Sequence, residues 1–304
     1  MEEEIYNKYK LAGTIIAQVF LDVRRSNIVK PGAKIIDIVN FIEDGIKKKG
    51  GTCAFPLNID INEIAAHYTS PIDDQTVIPE PKEGYLLVKL DGGVSIDGYL
   101  SDHAITINLG SEKHDVFYEA AHSALIKAIS TIKPGVKINS LGELIEKEIK
   151  SFNLKPISNL SGHKLKQYDL HSGSTIPNIE TSTRHSASFQ EGDVFAIEPF
   201  TTNGAGFVIN QKIITIYSLN KSKIKNAPRQ INDALATIFK TTNLLPFSPR
   251  WIPSVSENIL KRLISLRAVH GYPVLMDAKR GPVAQAEHTV IVTSDGAEIT
   301  TLIS

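Results

Sequence analysis

The stretch "KLDGGVSIDGYLSDHAITI" (residues 89–107) decides how this chain is read. It alternates like a β-hairpin around Asp97-Gly98, a dipeptide that favours a two-residue turn. That turn pairs Ile96 with Tyr99 and, counting outward, sets Asp91 opposite Ala104, with Asp102 two residues before it. Both aspartates then leave one face of the hairpin, roughly 7–8 Å apart on the diagonal. A slip of one residue would send them to opposite faces. Two carboxylates on one buried face repel each other, so they either share a proton or hold cations. Asp97 itself is assigned to the turn.

The rest of the chain limits the setting. Its 304 residues suffice for one large domain or two ordinary ones, and 42% hydrophobic with 22% charged residues is a globular composition. Lys+Arg and Asp+Glu are both 33, so global charge points to neither DNA nor a membrane. The lone Cys53 rules out an internal disulfide and a zinc finger, and suits a reducing compartment. The opening "MEEEIYNKYK" is acidic where a signal peptide would be basic then apolar. A cytoplasmic protein is expected.

Two stretches repeat at an offset of 103 residues: "VKPGAKIIDIVNFIEDGIKKKG" (29–50) and "IKPGVKINSLGELIEKEIKSFN" (132–153). Each is a Pro-Gly turn leading into an amphipathic helix, with a helix ahead of it at 5–26 and 115–130. The alternative is chance similarity of two helical hairpins. A duplicated half-domain predicts a second acidic hairpin, and "GDVFAIEPFTTNGAGFVINQKIITIY" (192–217) stands in its place, with Glu198 lying 107 residues after Asp91. Residues 219–271 break this rhythm with two expected helices (229–240 and 256–268) around "LLPFSPRWIP". They are read as an inserted helical subdomain; 1–218 and 272–304 form the main domain. Within the insertion nine Lys/Arg face two acids, Asp233 and Glu257. This is a solvated face or, on the functional reading, a contact with ribosomal RNA.

Three more features bear on the aspartate pair. "SGHKLKQYDLH" carries His163 and His171, "FAIEPF" sets Glu198 among apolar neighbours, and "AQAEHTVIV" does the same for Glu287. Singly, each reads as a satisfied buried polar group. Together, four carboxylates on buried strands and one imidazole suit two divalent ions bridged by carboxylates.

With "FPLNIDINEIAAHYTS" around His67, these motifs closely resemble, in order and over almost the whole chain, the type 2 methionine aminopeptidases of the pita-bread metallopeptidase family. Lacking a basic or zinc-binding leader, the sequence resembles the short archaeal form. The resemblance implies an α/β pita-bread fold: duplicated half-domains, a curved mostly antiparallel sheet flanked by helices, and a winged-helix-like insertion. It implies Asp91, Asp102, His163, Glu198 and Glu287 as ligands of two ions (cobalt, manganese, iron or zinc), with Asp102 and Glu287 bridging. It further implies His67 and His171 as substrate-contacting histidines, Glu198 as general base and acid, and Phe55, Leu170, Phe200 and Tyr272 as a methionine slot. His103, His122 and His288 match no such position, and His288 should point away from the site because Glu287 points in. The family's usual phenylalanine after the first aspartate is Gly92 here, and Lys164 and Lys166 stand where smaller residues are common.

The implied substrate is the N-terminus of a nascent polypeptide, cut after methionine when the next residue is small, by a monomer. Two rivals share parts of the pattern. A prolidase or aminopeptidase P would carry the same five ligands but needs proline recognition. A non-catalytic relative binding RNA or ribosomes would be expected to have lost ligands.

Overall fold

In the computed structural model, which describes residues 1–220 and 228–302, the two repeated stretches build two helix pairs of one design. Helices α1 (Glu3–Ser26) and α2 (Ile35–Lys48) belong to the first half, α3 (Asp115–Ile129) and α4 (Ser140–Ser151) to the second. Apolar residues three and four apart give each helix one buried stripe. The Pro-Gly turns dock in equivalent ways: Gly32 N donates to Ile78 O at 2.8 Å and Gly135 N to Phe189 O at 2.9 Å. Isolated bridges then form at Lys34–Val77 and Lys137–Ser188. Each pair covers its own core: Ile16, Phe20, Ile38 and Ile42 meet Leu86, Val88 and Leu90 in the first half. In the second, Ala121, Leu125 and Ile145 meet Phe195, Ile197 and Val290.

The first hairpin has the register its turn dictates. Strands Leu87–Ile96 and Tyr99–Asn108 pair antiparallel with Ile96 opposite Tyr99, Asp91 opposite Ala104 and Gly93 opposite Asp102. Asp97 and Gly98 both take positive φ, 51° and 85°, which matches strand twist in a tight hairpin. Asn58–Ile61 and Thr52–Cys53 extend this sheet on the far edge of Leu87–Ile96. Gly92 faces the core beneath α1, where an added Cβ would lie 3.0 Å from Leu57 and 3.4 Å from Ile16. Those two side chains fill the space of a larger residue there.

The expected second hairpin at 192–217 does not form as a local unit. Val194–Ile197 and Phe200–Thr202 pair instead with the distant His288–Val292 and Val283–Gln285. Val208–Leu219 turns away and pairs with Val269–Asp277. The return strand thus arrives only after the insertion. That pair forms a long ribbon, on which α5 (Arg229–Thr242) and α6 (Glu257–Ser265) build a separate cluster around Ile238, Phe247 and Leu263. The second helix ends earlier than expected because Arg267 takes positive φ (56°) and Val269 enters the ribbon. Lys221, Lys223 and Lys225 of the basic patch lie outside the described residues. Of its other cations, Arg229, Arg250 and Lys261 are ion-paired with Asp233, Glu43 and Glu257. Among the described residues no helix is long and apolar enough to cross a membrane.

The halves meet along a seam with little backbone pairing. Glu287 N donates to Ala104 O at 3.1 Å. Side chains supply more, among them His103, whose Nδ1 lies 2.5 Å from Glu287 O, Lys89, whose Nζ donates to Val283 O at 2.9 Å, and two threonines. The Thr289 hydroxyl accepts from Asp102 N at 2.7 Å and donates to Asp102 O at 2.8 Å. Thr106 does the same for Gln285, donating to its carbonyl at 2.7 Å and accepting from its N–H at 2.9 Å. Thr289→Val keeps the volume but strands a buried N–H and C=O, and should cost about 1–3 kcal/mol. Urea unfolding would read this as a lower midpoint at unchanged slope; an unchanged midpoint would mean the hydroxyl does not hold the seam.

Candidate metal centre

Proline decides where the second-half carboxylates go. In "AIEPF", Pro199 has no N–H to give a ladder, so the strand breaks between Ile197 and Phe200. The opposite strand breaks at the same level, between Gln285 and His288. Glu198 and Glu287 occupy these breaks. Glu287 turns its backbone to Ala104 of the first hairpin, which brings its side chain to the face that carries Asp91 and Asp102. His163 sits opposite Ala196, two residues from Glu198, and so shares that residue's side of the sheet.

All eleven site residues expected from the sequence line one cavity of about 240 Å³. His163 Nε2 lies 3.5 Å from Asp102 Oδ2 and 3.6 Å from Glu198 Oε1. Asp102, His163 and Glu287 each offer a ligand atom within 4.8 Å of the others. His171 lies against His163, their ring centroids 4.5 Å apart. Phe55 and Leu170 form one apolar wall, Phe200 belongs to another cluster, and Tyr272 meets His67 edge-on at 5.6 Å. His67 takes a positive φ of 72°. Asn58 Oδ1 accepts its N–H at 2.8 Å and its Nδ1 lies 3.2 Å from Pro273 O. Such a conformation persists only where the surroundings hold it.

His288 faces away, as expected, stacking on His103 at 4.9 Å and reaching Thr301 at 2.8 Å. Sequence reading missed Gln285, whose Nε2 donates to Asp91 Oδ2 at 3.4 Å and to Glu287 Oε2 at 3.2 Å. Its place two residues before Glu287, on the same strand face, was the available signal. Asn58 was missed too; nothing local marks it, because it meets Asp91 only across a strand pair.

Electrostatically the cluster is overcrowded with acids. Burial raises Asp91 to about 7, against hydrogen bonds from Gln285 and Asp102 that lower it. Burial and neighbouring carboxylates push Asp102, Glu198 and Glu287 well above the usual range. Burial drives His163 well below its ordinary value, lowers His171, and takes His67 to about 4. The imidazoles are therefore neutral at pH 7 and cannot balance the acids. Asp91 Oδ1, Asp102 Oδ1 and Glu287 Oε1 are buried without a hydrogen-bond partner. Oxygen atoms so oriented, beside a neutral imidazole, fit a hard-to-borderline divalent ion.

The match to known proteins agrees with this chemistry. Residues 7–294 match the model of metallopeptidase family M24. The chain belongs to that family. It is 42% identical over 307 residues to a methionine aminopeptidase of Saccharolobus solfataricus, covering 99% of both chains. The crystal structure of a Thermotoga maritima methionine aminopeptidase superposes with a TM-score of 0.72 at 21% identity, over 100% of this chain and 98% of that one. The structure of a thermophilic Arx1 gives 0.83 at 18% identity, over 99% and 91%. These two likenesses carry the fold, which is the pita-bread α/β architecture.

Protonation and cation binding compete here. A carboxyl whose folded pKa is raised favours the folded state most below its unfolded value, near 4, and that advantage is lost as pH rises through the folded value, about 7 for Asp91. A divalent ion displaces those protons. Added Mn²⁺ should therefore raise the melting temperature more at pH 8 than at pH 5.5; equal shifts at both would contradict the proton-holding cluster.

Proposed function

We propose that this member of metallopeptidase family M24 is a dinuclear-metal aminopeptidase that hydrolyses the N-terminal methionine of nascent proteins and peptides whose second residue is small. One observation carries the reading: five buried or half-buried ligand-type side chains, two neutral histidines and an apolar slot converge on a single cavity. The named relative at 42% identity supports the same substrate.

Asp91, Asp102, His163, Glu198 and Glu287 would hold the ions. When bound, two divalent ions lower the pKa of water by several units and polarise the scissile carbonyl. The protein's own groups do the rest. Glu198, whose burial raises its proton affinity, takes the proton of the attacking water and passes it to the leaving amine. His171 is neutral, so one ring N–H can donate to the oxyanion as it forms. His67, held in its strained conformation by Asn58 and Tyr272, contacts the substrate's peptide group from the opposite wall. Phe55, Leu170, Phe200 and Tyr272 enclose the methionine side chain, whose polarisable sulfur suits aromatic neighbours. Gln285 keeps Asp91 and Glu287 apart and oriented.

Contact with ribosomes through the insertion is a finer part of this reading. It calls for co-sedimentation at low salt that is lost when Lys221, Lys223 and Lys225 are changed to glutamate; no co-sedimentation at all would remove it.

Two substitutions test the chemistry. Glu287→Ala should abolish Mn²⁺-dependent release of methionine from Met-Ala-Ser, and full activity would overturn the ligand assignment. His171→Ala should lower kcat by about 10²-fold or more with little change in KM, the scale of one lost oxyanion donor. An X-Pro peptide serves as the control for a prolidase-like activity, and its preferential cleavage would replace the substrate proposed.

A further inference from the structure

Outside the cavity, one buried carboxylate gathers an unusual set of partners. Glu43 projects from α2, in the first half, and its side chain is 3% exposed. It accepts a fork from Arg250, with Nη2 at 2.9 Å from Oε1 and Nη1 at 3.2 Å from Oε2. Trp251 Nε1 adds a third donor at 2.8 Å, and Leu57 N a fourth at 3.4 Å. Arg250 in turn reaches back to the main domain: Nε donates to Ser70 O at 2.7 Å and Nη2 to Thr69 Oγ1 at 3.3 Å.

These partners lie on three separate segments, and each segment carries part of the cavity wall. Leu57 stands between Phe55 and Asn58, both of which line the cavity. Thr69 and Ser70 follow His67, and Thr215 grips the same strap from its other side, accepting from Thr69 N at 3.1 Å. Arg250 and Trp251 follow Pro246, which lines the cavity, and Leu245, which packs in one cluster with Phe55 and Leu170. Among the described residues no strand pairing joins the Pro249–Trp251 turn to the main domain; the ionic clamp does.

We infer that the Glu43–Arg250 clamp is a positioning device that sets the shape of the side-chain slot and the place of His67, and so determines discrimination among N-terminal residues. The inference rests on the proposed reading of the cavity. The clamp touches none of the reacting groups; it acts through Phe55, Pro246 and the His67 strap. A guanidinium fork fixes both distance and angle between the insertion and α2, which a lysine cannot do. Loss of one partner leaves a buried charge unpaired, whereas replacing both by apolar groups of similar volume is tolerated by many folds.

The test uses the full chain with Mn²⁺, as Glu43→Gln, Arg250→Lys and the double variant Glu43→Leu/Arg250→Met. The apolar double variant keeps a folded protein in hand if a single one fails. Three readouts are needed: kcat and KM on Met-Ala-Ser and Leu-Ala-Ser, affinity for free methionine by calorimetry, and Mn²⁺ stoichiometry. We expect KM for Met-Ala-Ser to rise about tenfold, kcat to stay within about threefold, and the preference for Met over Leu to narrow. Methionine affinity should fall by a similar factor while Mn²⁺ stoichiometry is unchanged. The emission of Trp251, the one tryptophan in the chain, should shift in all three variants. Unchanged KM, methionine affinity and Met/Leu preference in a folded double variant would overturn the inference, as would loss of Mn²⁺ in parallel with kcat. If the wild type binds methionine without cleaving Met-Ala-Ser, the proposed reaction fails, and methionine affinity in the variants still decides the clamp.

Discussion

Mutual repulsion among buried carboxylates is the constraint around which this molecule is arranged. Asp91, Asp102, Glu198 and Glu287 face one cavity with neutral histidines for company. Left alone they hold protons that carboxylates surrender in water. A fold that keeps them together needs a scaffold stiff enough to resist their separation, and a cation, once bound, turns the same repulsion into attraction. Both requirements explain features that look unrelated in the chain.

Stiffness comes from the seam. Each half has its own core and helix pair, a third apolar cluster (Ala54, Phe55 and Leu100 with Leu165, Val194 and Ile291) spans the join, and polar groups along the seam align one half with the other. Thr106 and Thr289 do so by taking the place of missing ladder bonds, each hydroxyl serving as donor and acceptor to one residue across the join. A hydroxyl can do both, where a backbone group can do only one. The Pro199 break is the complement of this device, since it frees the second-half strands from their own ladder at the level where the first hairpin approaches.

The insertion makes the cavity asymmetric. It leaves the main sheet as a ribbon and returns through Leu245–Trp251, where it is tied to α2 by Glu43 and Arg250. The acids of the cavity come from the duplicated halves, as do most of its apolar residues, and the insertion adds Pro246 to the wall.

Local chemistry in the sequence was enough for a good deal. Asp97-Gly98 set a register, and register alone placed Asp91 and Asp102 on one face, because side-chain direction alternates with period two. The Lys-Pro-Gly repeats announced the duplication, since a turn and an amphipathic stripe are legible at short range, and the motifs carried the resemblance that pointed to His67, His171 and the slot. Other features had no local signature. The return strand of the second half comes after the insertion, so 192–217 read as a hairpin although its pairing is distant. Asn58, Gln285 and the Glu43–Arg250 clamp join residues brought together only by tertiary packing. Strand register and turns are decided by neighbours a few residues away; which distant strands and charges meet is decided by how two cores and an insertion settle against each other.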